Sequence, residues 1–215
     1  MQKQDLDAIG DKIRKVLDAK DAAREQGLPL SREVIRNSAN AIRAVHRGED
    51  DEALALMDKN AEILKQIDTV LAQHPDVYFA GFVHDAQKEY AEARATYALT
   101  HHLPLPDPDE VGVAYAAYLN GIGEAVGELR RHILDQIRTR GSAWGEETLS
   151  AMDDVYYLMA SMDYPAAISG GLKRTADVTR SIIEKTRGDL TNAIRTMHLE
   201  EALSRLENRL KEEQK

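Results

Sequence analysis

What most constrains this chain is the spacing of its apolar residues, which return every three or four positions almost from end to end. Leu6, Ile9, Ile13, Val16 and Leu17 form one such series; Leu54, Met57, Ile63, Leu64, Ile67 and Leu71 form another. That period gathers them on one face of an α-helix. No segment alternates apolar and polar residues as a half-buried strand does. The expected fold is therefore all-α, a bundle of about seven long helices whose ends are marked by capping and breaking residues. Gly27-Leu28-Pro29 is expected to close the first helix, Ser31 to cap a second that ends at Gly48, and Asp50 and Asp51 to open a third. A fourth opens near Pro75 and runs to about Thr100, where the prolines of His101-His102-Leu103-Pro104-Leu105-Pro106-Asp107-Pro108 break it. Asp109 is expected to cap a long fifth helix ending near Thr139, a sixth covers 145–162, and Tyr164-Pro165 turns into a seventh, with a break at Gly188-Asp189.

Composition narrows the chemistry. The chain has no cysteine, which excludes disulfides, thiolate zinc sites and cysteine nucleophiles, so any metal must sit on oxygen or imidazole, which leaves Asp, Glu and the seven His. A net charge of −9 works against a nucleic-acid partner, because phosphate binding rests on basic surface; a locally basic groove can nevertheless coexist with acidic outer faces. No apolar run approaches the roughly 18–20 residues that span a bilayer. The start Met1-Gln2-Lys3-Gln4-Asp5 has no apolar signal core, so a cytoplasmic protein is expected. With no evident linker, 1–215 is expected to form a single all-helical domain, the part after about 188 being an extra C-terminal helix.

Two carboxylate pairs carry the functional reading. Glu89 and Glu92 stand three apart and Glu124 and Glu128 four apart, so each pair projects from one helical face. If the two helices are neighbours, four like charges converge, and such a cluster is stable only with divalent cations to neutralise it. All-oxygen ligands suit Mg²⁺ or Mn²⁺, which promote phosphodiester hydrolysis. Small and apolar neighbours surround both pairs, in Glu89-Tyr90-Ala91-Glu92-Ala93 and Gly121-Ile122-Gly123-Glu124-Ala125-Val126-Gly127-Glu128. The glycines of the second run each cost a helix on the order of 1 kcal/mol, so something must approach that backbone closely. Against this stand two plainer readings: glutamates on a solvated face, and glycines that serve tight helix packing alone.

These two segments, the second extended to Tyr118-Leu119-Asn120 and Leu129, resemble the signature segments of the translin/Trax family in its catalytic, Trax-like type. The similarity continues collinearly through Ala23-Arg24-Glu25, Val45-His46-Arg47-Gly48 and Gly171-Leu172-Lys173. The resemblance implies a seven-helix fold, a closed octameric shell and a metal-dependent endoribonuclease acting on single-stranded RNA. Catalytic and metal-binding positions of the family fall on Glu89, Glu92, Glu124 and Glu128. Glu124 departs from the aspartate usual in the eukaryotic enzymes by one methylene. Because the quartet is complete, the chain looks like a catalytic prokaryotic homologue, of archaeal type, that forms the shell alone. The family's basic, histidine-rich RNA-binding stretch corresponds to Tyr78-Phe79-Ala80-Gly81-Phe82-Val83-His84-Asp85, which has lost nearly all positive charge.

Other cations are then the candidates for RNA backbone contacts: Arg130, Arg131, His132 and Arg138, with Arg140, and Arg43, His46 and Arg47. Each is equally readable as a solvated charge paired with Asp135 or a helix terminus. His101 and His102 read as surface residues, and Trp144, Tyr156 and Tyr157 as core or interface rather than base-stacking groups. Three other functions compete. An all-α Mg²⁺-dependent nucleoside triphosphate pyrophosphohydrolase also carries paired acidic motifs, but with spacing of three in the second pair. A translin-like shell that binds single-stranded RNA or DNA without cutting would not need the full quartet. A di-iron bundle would need Glu-x-x-His pairs, which are absent here. Finally, Leu199, Leu203, Leu206 and Leu210 form a narrow stripe amid dense charge, suited equally to a partner helix and to the chain's own bundle.

Overall fold

In the computed structural model the described residues are 3–140 and 145–213, and among them the chain forms helices joined by turns and loops, with no strand. The helices are α1 (Lys3–Arg47), α2 (Asp50–Leu71), α3 (Pro75–Tyr78), α4 (Phe82–Thr100), α5 (Pro108–Val111), α6 (Tyr115–Arg140), α7 (Gly145–Ala160), α8 (Ala166–Ser169) and α9 (Leu172–Glu213). Six are long and three are single turns. The expected all-α class is found, but the count of about seven is not. The chain divides into two compact units, residues 1–94 with 107–121 and residues 95–106 with 122–215, so α4 and α6 each contribute to both.

In the first unit, α1 and α2 form a hairpin closed at Gly48, whose φ of +75° lets its N–H reach the Val45 carbonyl. The sequence predicts a break at Gly27-Leu28-Pro29, yet α1 runs straight through it. Packing outweighs the local cost of proline. Ala23, Gly27, Ser31, Val34, Ser38, Ala41 and Val45 are buried on one continuous face that spans the proline, while Pro29 itself is exposed. A polar cluster fixes the register of the hairpin. Asn60 of α2 is fully buried; it donates to the Val34 carbonyl and the Ser38 hydroxyl, and accepts from Asn37.

The fourth predicted helix is split. Pro75 opens only the single turn α3, and α4 begins at Phe82, after Gly81 takes a left-handed φ of +105°. Gln87 of α4 ties this corner together, donating to the Tyr78 hydroxyl and accepting from the backbone N–H of Ala114, just before α6. The predicted cap at Asp109 also shifts. Asp107 caps the turn α5 by accepting from the Asp109 N–H, and α6 starts only at Tyr115.

In the second unit, α7 packs on α9, with Met152, Val155, Met159, Leu172, Ile183 and Leu190 buried alongside Leu129 and Ile133 of α6. Arg187 of α9 grips both oxygens of Asp153 on α7 at 2.8 Å. The break expected at Gly188 is absent. Gly188 faces solvent, while Thr186 and Leu190 on either side are buried and carry the helix through. Trp144 lies outside the described residues. Tyr156 is half-buried and Tyr157 exposed. No helix among the described residues is long and apolar enough to cross a membrane.

Candidate metal centre

The spacing of three between Glu89 and Glu92 puts both carboxylates on one face of α4, and Glu124 stands on α6 three residues beyond Gly121. Gly121 sets how closely these helices meet. A Cβ at this position would lie 2.5 Å from the Lys88 carbonyl oxygen, 2.7 Å from the Ala91 methyl and 3.0 Å from the Glu92 nitrogen. Only a residue without a side chain admits α4 at that distance. Glu89, Glu92 and Glu124, all half-buried, each offer an oxygen within 4.8 Å of the others, the one such group of three acidic or histidine side chains among the described residues.

The other two glycines of α6 differ from Gly121. At Gly123 a Cβ would come within 2.6 Å of the Met159 methyl and 2.8 Å of the Thr175 methyl, and the Gly123 carbonyl accepts from the Thr179 hydroxyl, so this glycine admits α7 and α9. At Gly127 the nearest neighbour, Ile182, would be at an ordinary 3.9 Å. Two of the three glycines therefore serve close helix packing, the plainer of the two expectations, and one of these packings is the α4–α6 approach beside the carboxylates.

Glu128 does not join the trio. One turn on from Glu124, its carboxylate lies 3.8 Å from the Arg131 guanidinium. A cation that sequence reasoning passed over sits at the cluster instead: Lys88, mostly buried, holds its ammonium 3.4 Å from Glu89. Its signal was simple adjacency to the first carboxylate. Arg94, one turn past Tyr90, donates to that phenol and stacks over its ring.

The candidate phosphate-binding cations fall on two helices. On α6, Arg130, Arg131 and Arg138 line a shallow groove with Gly127, Leu134 and Asp135. Arg130 is held twice, by the Thr186 hydroxyl and by Asp189 at 2.8 Å. Arg131 and Arg138 are exposed, and their partners Glu128 and Asp135 are each three residues back on the same helix. His132 is half-buried on the same helix. On α1, Arg43 is exposed and donates to Asn40, His46 is half-buried, and Arg47 pairs with Glu49 and Glu52. Of the two histidines expected at the surface, His102 is exposed, whereas His101 is half-buried against the Tyr97 ring.

No family model matches the chain. An uncharacterised protein of Methanocaldococcus jannaschii is 32% identical over 196 residues, covering 90% of this chain and 86% of that protein. A solved structure of AfC3PO in complex with duplex RNA superposes with a TM-score of 0.77 at 32% identity, covering 86% of this chain and 96% of that one. AfC3PO solved by itself gives 0.78 at the same identity. Apo-NeC3PO, at 20% identity, shares the fold with a TM-score of 0.74 over 89% of this chain. C3PO is the complex of translin and Trax. Similarity of this extent, in sequence and in fold together, places the chain in the translin/Trax family.

Proposed function

We propose that this protein is a metal-dependent endoribonuclease that binds RNA within a shell built of several copies of the chain. The observation that carries the proposal is the carboxylate trio. Three oxygens bound to one Mg²⁺ or Mn²⁺ at about 2.1 Å stand at most about 4.2 Å apart, so side chains already within 4.8 Å need only a small closure to share an ion. Half-buried oxygen ligands without sulfur or imidazole fit these hard cations rather than zinc. Glu89, Glu92 and Glu124 would hold the ion, with Glu128 extending the acidic face along α6. When bound, such an ion supplies the positive charge that stabilises the phosphoryl transition state.

The remaining roles belong to side chains of this chain. Lys88 offsets part of the charge on Glu89 and keeps the trio from splaying. Arg131 and Arg138 contact RNA phosphates. Their intrahelical ion pairs are exposed and worth only a few tenths of a kcal/mol, so a phosphate displaces them at little cost. Arg130, held by two partners, stays in place and orients the groove. The similarity to AfC3PO, which has been solved with duplex RNA, supports RNA as the ligand.

The test is degradation of labelled single-stranded and duplex RNA in Mg²⁺, Mn²⁺ or EDTA, by wild type and by Glu124→Gln, with nucleoside triphosphates in parallel. Metal-dependent cutting that is lost in Glu124→Gln is the expected result. RNA binding with no cutting in either metal would leave a translin-like binding shell. Triphosphate hydrolysis alone would make the protein a pyrophosphohydrolase.

A further inference from the structure

We infer that the end of α9 pairs in parallel with the same segment of a second copy of this chain. The inference concerns a part of the molecule distinct from the acidic cluster and stands whether or not the chain cuts RNA. Every residue of the stretch from 198 to 212 is exposed. Yet it carries Leu199, Leu203, Leu206 and Leu210, exposed at 60%, 52%, 54% and 49%. Spacings of four, three and four put them at successive d, a, d and a positions of a heptad repeat, the seam of a coiled coil. Two heptads are short for an isolated coil, because nucleating a helix is costly. Here that cost is already met: the segment continues a 42-residue helix whose earlier turns are anchored by Thr186 and Leu190.

The flanking charges choose the partner and its direction. In this register Glu200 and Glu207 occupy e positions and Arg195 and Arg209 occupy g positions. Parallel pairing with an identical helix sets Arg195 of each copy against Glu200 of the other, two attractive contacts by symmetry. Antiparallel pairing, with the leucines in layers, sets Glu200 against Glu207 twice, like against like. The apolar stripe on α1 at Leu6, Ile9, Ile13 and Val16 is also exposed, but antiparallel to α9 it sets uncharged Gly10 and Leu17 against Glu200 and Glu207. Parallel to α9, with the leucine layers aligned, it sets Asp5 against Glu200 as well as Lys12 against Glu207, a mixed pairing.

The chain has no cysteine of its own, which makes the test direct. In full-length Leu199→Cys, parallel pairing brings the two thiols together at a d layer, and mild oxidation should yield a disulfide-linked dimer. Antiparallel pairing would hold them about 16 Å apart, eleven residues of helix rise, well beyond the roughly 7 Å limit between Cα atoms. Adding Leu203→Glu and Leu206→Glu should abolish the crosslink and leave the far-ultraviolet spectrum almost unchanged, since both side chains are exposed. Three results would overturn the inference: no self-crosslink in Leu199→Cys; crosslinking of Leu199→Cys to Leu210→Cys or Ile13→Cys instead; or a crosslink that survives the two glutamates and so reports random collision.

Discussion

A methyl group on Gly121 would stand 2.5 Å from the carbonyl oxygen of Lys88, closer than any such pair of atoms tolerates. The obstacle is helix backbone, which cannot rotate aside as a side chain can. Gly121→Ala should therefore force α4 and α6 apart, at about 1–3 kcal/mol, and spread the carboxylates that the approach gathers. Gly127→Ala is the control. Its added methyl meets only Ile182 at 3.9 Å, and alanine favours the helix by up to about 1 kcal/mol, so this variant should be neutral or stabilised. Thermal unfolding of the two variants checks the contrast. Equal destabilisation would mean that both glycines act through something other than close approach.

The same trio makes a prediction about metal. Ligands that bind only the folded state raise its stability, so Mn²⁺ should raise the melting temperature of the wild type in proportion to the logarithm of its concentration. Glu124→Gln keeps the size of the side chain and removes one anionic ligand, and most of that increase should vanish. An undiminished metal-induced shift in the variant would place the ion elsewhere.

Asn60 links α1 and α2 through hydrogen bonds to Val34, Ser38 and Asn37, all 3.0 Å or shorter and all buried. Asn60→Ala orphans the Asn37 amide inside the hairpin, at an expected cost of about 1–3 kcal/mol. In the double variant with Asn37→Ala the orphaned Asn37 amide is gone, so the pair should cost less than the sum of the singles. A double-mutant cycle from urea denaturation reads the coupling. Strict additivity would show that the two amides do not depend on each other.

Much of this was legible in the sequence, and the failures share a cause. Helical periodicity is local, so the all-α class could be read from it, as could the pairing of Glu89 with Glu92 within one helix. Pro29 and Gly188 misled because their cost is local while the packing that overrides it is not. Buried faces running from Ala23 to Val45 and from Thr186 to Leu190 carry each helix past its breaker. The split near Pro75 was missed for a related reason: the turn at Gly81 is stabilised by Tyr78 and Gln87, whose partners Asp68 and Ala114 lie well apart in sequence. Which of the four carboxylates come within 4.8 Å of one another depends on side-chain rotamers and helix approach, which spacing alone does not specify.

The RNA-binding proposal predicts a particular salt dependence. If Arg131 and Arg138 each neutralise one phosphate, Arg131→Ala with Arg138→Ala should weaken binding about equally across RNA sequences. It should also flatten the slope of log affinity against log salt by about 2, one unit for each contact removed. Binding measured from low to physiological salt distinguishes this from indirect damage to the fold, which lowers affinity without changing the slope.

Tyr78 should make the first unit sensitive to alkali. Burial, reinforced by the hydrogen bond its hydroxyl donates to Asp68 at 2.9 Å, pushes the phenol up to about 12. Its ordinary value is about 10. Because the folded state holds the proton more tightly than the unfolded one, the contribution to stability is complete below about pH 10 and is lost as pH rises toward 12. Tyr78→Phe has no proton to lose. It should start less stable than the wild type at pH 9, where the hydrogen bonds to Asp68 and Gln87 are missing, and the gap between the two should narrow with each step to pH 11.5. Other tyrosines titrate in both proteins, so the difference between the two melting curves isolates this one. A gap that stays constant from pH 9 to 11.5 would mean that Tyr78 ionises as freely in the folded chain as in the unfolded one.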